Sequence, residues 1–569
     1  MSNRASIKRT SRTVTGLQFR AGRYKIPAQH QALIVTGKHG KPEQPCNYFR
    51  KNLDLHIYKT ITIMRRLILL FTVSLSVLSI SAQNKVEKWR IYEIVLNGDS
   101  KGNPFTDVQL SAKFTNGENI KIVSGFYDGN GIYKIRFMPQ ATGAWTYIIS
   151  SNLKSLNNKK GKFECFSNTD SNHGQVVVKD TFNFAYSDNK PYYPFGTTCY
   201  AWVHQGDSLA QLTLKTLANG YFNKMRMCIF PKDYDWNKNE PLLYPFEGKP
   251  LTDWDYTKFN PAYFQNIEKR IAQLDSLGIE ADLIVFHPYD RWGFQKMDRK
   301  TDDLYINYII ARFAAYKNVW WSLANEYDYM KSKKTDDWNH FIQVFAEKDP
   351  YNHLRSIHNG ANLYDHANPL ITHVSIQNED TYKAKELRPK YKKPIVYDEC
   401  RYEGNINWPW GNLSAQEMVN KFWRGVINGG FVGHGETYVT ENPVKWGYES
   451  QDILWWSKGG VLRGQSQERI KFLRNIIESA PGYLTPIINT KWWVPYSYVA
   501  FKDEYFLHYF NIDQPRSQIV YLPENSKYKI EIINAWDMTI TPVKGEFSGK
   551  SLIQLPQKPF TALRITKIV

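Results

Sequence analysis

Between about Pro194 and Glu478 the sequence alternates repeatedly between short, unbroken apolar runs and longer stretches whose apolar residues recur at a helical period. Runs without polar alternation are strands covered on both faces, and the helical stretches between them supply the crossovers that parallel strands require. Strands are predicted at 194–201, 222–230, 282–288, 318–325, 354–358, 371–377, 393–399 and 430–436. Eight alternations within roughly 300 residues predict an α/β fold, a closed (β/α)8 TIM barrel rather than an open sheet.

The helix signals are clearest at Asn260-Pro261, a cap followed by proline. Phe264, Ile267, Ile271, Leu274 and Leu277 then stripe one face, and Gly278 ends it. Ser414 and Glu417 have the spacing of a capping box. On either side the pattern changes to short alternating segments broken by turn residues, such as Val108–Phe114 and Ile132–Phe137 before the barrel, and Trp492-Trp-Val-Pro and Tyr528–Ile533 after it. The expected organisation is an N-terminal β-sandwich over 84–166, the barrel over 175–484 and a C-terminal β-sandwich over 485–569.

A net charge of +19 raises the question of a nucleic-acid partner, but residues 1–63 carry 12 Lys and Arg against 2 acids. Without them and Arg65 and Arg66 the excess falls to +7, which gives no basic surface of that kind, so no nucleic-acid partner is expected. Met64-Arg-Arg, the apolar stretch Leu67–Ile80 and the small residues Ser81-Ala82 read as a secretory signal peptide over 64–82, cleaved near Ala82. That stretch is too short and too serine-rich for a membrane span, so the mature chain is expected to have none and to be secreted or periplasmic. Residues 1–63 are read as a mis-assigned start of translation.

Cys165, Cys199, Cys228 and Cys400 lack the paired spacing of a zinc site, and buried free thiols are expected. No glycine-rich phosphate loop and no HExxH motif occurs, so no cofactor and no metal is expected. What the barrel strands do offer is carboxylates: the fourth runs into Asn325-Glu326 and the seventh into Glu399. Both would face the C-terminal mouth, where barrel enzymes place their chemistry. Two such groups can divide the work of cleaving a glycosidic bond, one protonating the leaving oxygen and the other attacking the anomeric carbon. Aromatic residues make up 15% of the chain, with 18 Trp and 37 Tyr, a composition suited to stacking on sugar rings.

Asn325-Glu326, Glu399, Arg226 on the second strand and His287 on the third resemble the pattern of clan A retaining glycoside hydrolases. Asp188-Asn-Lys-Pro-Tyr-Tyr-Pro-Phe-Gly-Thr198 with Trp202 resembles the apiosidase-like branch of that clan. The resemblance implies that Glu326 is the general acid/base, Asn325 a hydroxyl ligand, Glu399 the nucleophile and Arg226 the charge that keeps it ionised. His434-Gly-Glu436 departs from the pattern, because many clan members carry a tryptophan platform on the eighth strand.

Further candidate sugar contacts are His204, His358, Gln377, Trp236, Trp292, Trp408 and Trp410. Core packing is the competing explanation for each, and Arg226 and His287 have the alternative of buried structural polar groups. Glu436 is read as a substrate ligand or a rival nucleophile. Strand alternation predicts that only one of Asp398 and Glu399 points into the mouth. A non-catalytic carbohydrate-binding barrel is the alternative to a hydrolase; the sequence carries no signal for oligomeric state.

Overall fold

The computed structural model describes residues 85–250, 252–488 and 496–568. The expected signal peptide, residues 1–63 and the strand expected at Trp492 lie outside the described residues. The barrel strands are β1 (Phe195–Thr198), β2 (Lys224–Cys228), β3 (Glu280–Phe286), β4 (Val319–Ala324), β5 (Arg355–Ser356), β6 (Val374–Gln377), β7 (Ile395–Glu399) and β8 (Gly430–His434). They form one parallel sheet in the order β5-β4-β3-β2-β1-β8-β7-β6. At the seam between β5 and β6 the Thr372 N–H donates to Arg355 O at 2.9 Å, in place of a regular ladder. β5 is therefore only two residues long and β6 starts three residues later than the apolar pattern suggests.

The outer ring is α1 (Asp207–Leu217), α2 (Pro261–Ser276), α3 (Arg299–Phe313), α4 (Thr335–Lys348), α5 (Ala384–Tyr391), α6 (Ala415–Ile427) and α7 (Ser466–Glu478). Among the described residues the β5–β6 connection has no helix. In α2 the Asn260 side chain accepts from the Ala262 N–H at 3.2 Å, and Gly278 at φ +67° takes the left-handed conformation that ends the helix. Phe264, Ile267, Ile271 and Leu274 are all buried, each contributing about 1.5–3 kcal/mol of apolar burial. Half of the expected capping box forms at α6. Ser414 Oγ accepts from the Glu417 N–H at 3.1 Å, but the Glu417 carboxylate turns away to Asn420.

The base of the barrel is closed by a three-stranded sheet, Val176–Lys179, Asn183–Tyr186 and Pro191–Tyr192. Its Phe184 ring packs 5.2 Å from Trp320 and 5.4 Å from Phe431, near the N-terminal ends of β4 and β8. Trp320 and Trp321 are thus packing residues, each with its indole N–H satisfied, by Glu280 and Asp349.

Before the barrel, a five-stranded and a three-stranded sheet enclose Phe114, Phe137, Trp145 and Phe163, with Phe114 and Phe137 stacked at 4.0 Å. After it, a six-stranded sheet and a two-stranded sheet enclose Phe510, Tyr528, Ile530 and Leu563. The fold is thus a TIM barrel flanked by β-sandwich regions. The four cysteines described are free and buried. No helix among the described residues is long and apolar enough to cross a membrane.

Candidate active site

The C-terminal ends of the barrel strands open into a cleft of 980 Å³. Its floor holds Glu326 from the end of β4 and Glu399 from the end of β7, and each carboxylate is gripped by a tyrosine from another strand end. Tyr289, after β3, donates its hydroxyl to Glu326 Oε2; Tyr200, after β1, donates to Glu399 Oε1. Lys232, from the loop after β2, lies over both tyrosine rings, its Nζ 3.9 Å from the centre of Tyr200 and 4.3 Å from that of Tyr289.

Glu326 terminates β4 in a left-handed backbone conformation, φ 53° and ψ 54°, which few non-glycine residues adopt. Its side chain is 7% exposed. Burial, followed by the negative charge of Glu399, raises its carboxyl above the usual range, against the opposing pull of Lys232, Tyr289 and His358. Asn325 donates its amide to Glu326 Oε2 at 3.1 Å, and the Asn325 Oδ1 is buried without a partner among the described residues.

Glu399 has the opposite environment. Burial favours its neutral form, but His358, Arg226 and Tyr200 outweigh burial and hold its carboxyl down at about 2. Arg226 Nη1 and His358 Nε2 stand 3.8 and 3.4 Å from Glu399 Oε1. Two neighbouring glutamates are thus driven apart, one toward the acid and one toward the anion.

Of Asp398 and Glu399 only Glu399 lines the cleft, as expected, but simple strand alternation is not the reason. Ile376 on β6 pairs with Tyr397 while Gln377 pairs with Glu399, so β7 bulges by one residue at Asp398. The bulge turns both carboxylates inward. Glu399 reaches the cleft, and Asp398 lies in the buried layer, 2.7 Å from Lys224 Nζ.

Of the other predicted residues, Gln377, Trp236, Trp408 and Trp410 line the cleft, while Arg226 and His358 support Glu399 without lining it. His204 and His287 do not line it: the first is a half-buried and the second a buried ring, each directed at a backbone carbonyl, Cys228 O and Phe230 O, at 3.2 Å. Burial drives them down to about 4 and about 3, so both are neutral. Trp292 is buried beneath the cleft loops with its N–H on Glu240 at 2.9 Å. Glu436 is turned away from the cleft, because its carboxylate accepts the N–H groups of Arg463 and Gly464, both at 2.7 Å.

Glu403 beside it accepts the Gln465 and Ser466 N–H groups, so the pair anchors the start of α7. His434 lies within 4.8 Å of both, a grouping of metal-ligand types. The amides that already engage both carboxylates present positive ends to the same space, which suits loop anchoring and opposes a cation.

Tyr200, Tyr289 and Lys232 were missed from sequence, as was Trp456, which lines the cleft from the short helix Trp455–Lys458. Trp456 gives the cleft the aromatic face that β8 lacks. Tyr200 had a signal, since it closes an apolar strand run much as Glu326 does; Tyr289 and Lys232 lie on loops and Trp456 on a single helical turn.

Residues 179–483 match the family model described as apiosidase-like, catalytic domain. Residues 85–152 and 492–566 match two domains of unknown function, DUF5060 and DUF5605. Comparison with curated proteins gave no match. Among solved structures, a candidate glycoside hydrolase from Bacteroides vulgatus ATCC 8482 is 41% identical at a TM-score of 0.80, covering 85% of this chain and 100% of that one. A glycoside hydrolase family 5 protein from the same organism is 15% identical at a TM-score of 0.54, covering 69% of this chain and 94% of that one, a likeness of fold.

Proposed function

Because the chain belongs to the apiosidase-like glycoside hydrolases, we propose that its cleft cleaves glycosidic bonds by double displacement, with Glu399 as nucleophile and Glu326 as general acid and base. The observation that carries this reading is the opposite perturbation of two glutamates in one cleft: Glu399 held ionised, Glu326 pushed toward its protonated form. In the first step the Glu399 carboxylate attacks the anomeric carbon, the bond to the leaving oxygen breaks, and that oxygen takes the Glu326 proton. In the second, the Glu326 carboxylate takes a proton from water, the water oxygen bonds to the anomeric carbon, and Glu399 leaves as a carboxylate.

Arg226, His358 and Tyr200 keep Glu399 anionic and aimed. The unpartnered Asn325 Oδ1 accepts a hydroxyl of the bound sugar. Trp236, Trp408, Trp410, Trp446 and Trp456 supply the aromatic faces on which sugar rings stack. The substrate is a plant or algal polysaccharide or an oligosaccharide derived from one. The segment Met64–Gln83 supports export to the periplasm or beyond, where such polymers are met.

The test is a polysaccharide panel with products followed by proton NMR during the first minutes of hydrolysis. Double displacement releases the sugar with the anomeric configuration of the substrate; release of the opposite anomer refutes the assigned roles.

A further inference from the structure

Beneath the cleft floor lies a buried layer of charge whose hydrogen-bond directions are fixed by a single serine. Lys224 Nζ is 2.5 Å from Asp282 Oδ2 and 2.7 Å from Asp398 Oδ1. Arg226 lies above them, its Nε 3.5 Å from Asp282 and its Nη1 3.8 Å from Glu399. Burial favours a neutral Asp398, but Lys224 and Arg226 outweigh it and hold that carboxyl well below the usual range, so Asp398 can only accept hydrogen bonds.

Ser375 Oγ is 2.5 Å from Asp398 Oδ2 and 3.1 Å from His358 Nδ1. The serine has one hydroxyl hydrogen, and it donates it in a hydrogen bond to the carboxylate. Its oxygen is then an acceptor toward His358, so Nδ1 of the imidazole must carry hydrogen. The other ring nitrogen, Nε2, stands 3.4 Å from Glu399 Oε1 and has no hydrogen-bond partner among the described residues. With Nδ1 protonated, a neutral ring would set a lone pair against that carboxylate; only a doubly protonated ring presents N–H to both.

Charge balance points the same way. The groups in direct contact in this layer are the cations Lys224 and Arg226 and the anions Asp282, Asp398 and Glu399. A charged His358 makes three against three, and a neutral one leaves a buried excess of negative charge, which is costly in a low dielectric. The other ionisable groups that His358 influences are Glu326, in the cleft, and His366, a buried neutral ring on the β5–β6 connection.

We propose that Asp398 and Ser375 form a relay that fixes His358 as an imidazolium with its Nε2–H toward Glu399, making His358 a positioning residue for the nucleophile. The proton on Nε2 is the one exchanged with solvent, and Nδ1 keeps its own. When His358 loses its Nε2 proton, the group facing Glu399 changes from a donor to a lone pair. The enzyme therefore loses its support for the nucleophile in one protonation step, although no group in direct contact with the sugar has changed. The proposal rests on Glu399 being the nucleophile only for its kinetic consequence; the tautomer itself follows from Asp398, Ser375 and the ring.

The test is nitrogen-15 NMR of the histidine side chains in the full chain, with the His358 signals assigned by their absence in His358→Gln. At neutral pH the wild-type ring is expected to carry hydrogen on both nitrogens and, once raised pH has removed one, to keep it on Nδ1. In Ser375→Ala the constraint is gone, and the neutral ring is expected to move its hydrogen to Nε2, toward Glu399. The same variant should lower kcat about two- to tenfold at unchanged KM, the effect of one ordinary hydrogen bond. A wild-type ring that is neutral at pH 7, or the same neutral tautomer in wild type and Ser375→Ala, overturns the relay. If the tautomers behave as expected and kcat of Ser375→Ala and His358→Gln equals that of wild type, the relay stands as structure and its role in positioning the nucleophile is refuted.

Discussion

Replacing Tyr289 with Phe isolates one force on the proposed acid, because the ring stays over Lys232 and only the hydroxyl that donates to Glu326 Oε2 is lost. A hydrogen bond to a charged group contributes about 1.5–3 kcal/mol, and a shift of one pKa unit corresponds to about 1.36 kcal/mol. The bond favours the Glu326 carboxylate, so its removal raises the Glu326 pKa further, by about one to two units. Burial and the Glu399 charge already push in that direction; Lys232 and His358 remain as the opposing groups. In wild type, kcat/KM is expected to fall at alkaline pH as Glu326 loses the proton that it is proposed to deliver to the leaving group. In Tyr289→Phe that limb should move to higher pH by the same one to two units.

The second step requires the opposite form of Glu326, the carboxylate that deprotonates water. With an activated aryl glycoside, for which glycosyl-enzyme breakdown limits turnover, the variant should therefore be slower than wild type below its new pKa. The assay is a pH series of kcat and kcat/KM on a glycoside that the enzyme turns over. An alkaline limb that stays in place, or moves to lower pH while the variant melts at the wild-type temperature, refutes the account of how Glu326 is tuned.

Two further predictions concern stability. Glu268 on α2 bridges two buried guanidinium groups, Arg136 of the N-terminal sandwich at 2.7 Å and Arg312 of α3 at 2.6 Å. Glu268→Gln leaves Arg136 with Glu93 and Arg312 with Asp128 alone, and should cost about 1.5–3 kcal/mol in denaturant unfolding, against a cost near zero if the network were solvent-screened. Glu280, at the start of β3, is pushed up to about 8 by burial, against Lys317 and Trp320. Because its folded pKa lies above its unfolded one, the folded chain binds more protons between about pH 4.5 and 8, and stability falls as pH rises through that window. Glu280→Gln should flatten that slope and melt higher than wild type above pH 8; an unchanged slope contradicts the assignment.

Much of the barrel was legible because burial on both faces writes itself into the sequence as unbroken apolar runs. Val319–Ala324 and Ile395–Glu399 are covered on both sides, and the first runs into Glu326 two residues on while the second ends in Glu399, so pattern and position were read together. The seam at β5 and β6 was harder to place. There the chain is joined through Thr372 rather than a full ladder, and an apolar run such as Leu354–His358 overstates a strand of two residues. The bulge at Asp398 was hidden for a different reason: one extra residue on one strand leaves hydrophobic periodicity almost untouched while reversing where the next side chain points.

Strand-end histidines could not be sorted from sequence, since His204 and His287 satisfy backbone carbonyls whereas His358 faces a carboxylate. Tyr289 and Lys232 come from loops and Trp456 from a four-residue helix, whose course depends on tertiary packing rather than on a period. Glu436 was misplaced because the amides that engage it, at Arg463 and Gly464, lie in a segment with no strand or helix pattern of its own.

The central claim is that Glu399 attacks the sugar and Glu326 delivers the proton, and azide rescue of the two alanine variants tests it most directly. With an activated aryl glycoside, Glu399→Ala in azide should yield a glycosyl azide of the anomeric configuration opposite to the substrate. Glu326→Ala, which still forms the glycosyl-enzyme, should yield the azide of the same configuration. Wild-type turnover by Glu399→Ala, or the two anomers exchanged between the variants, would contradict the assignment.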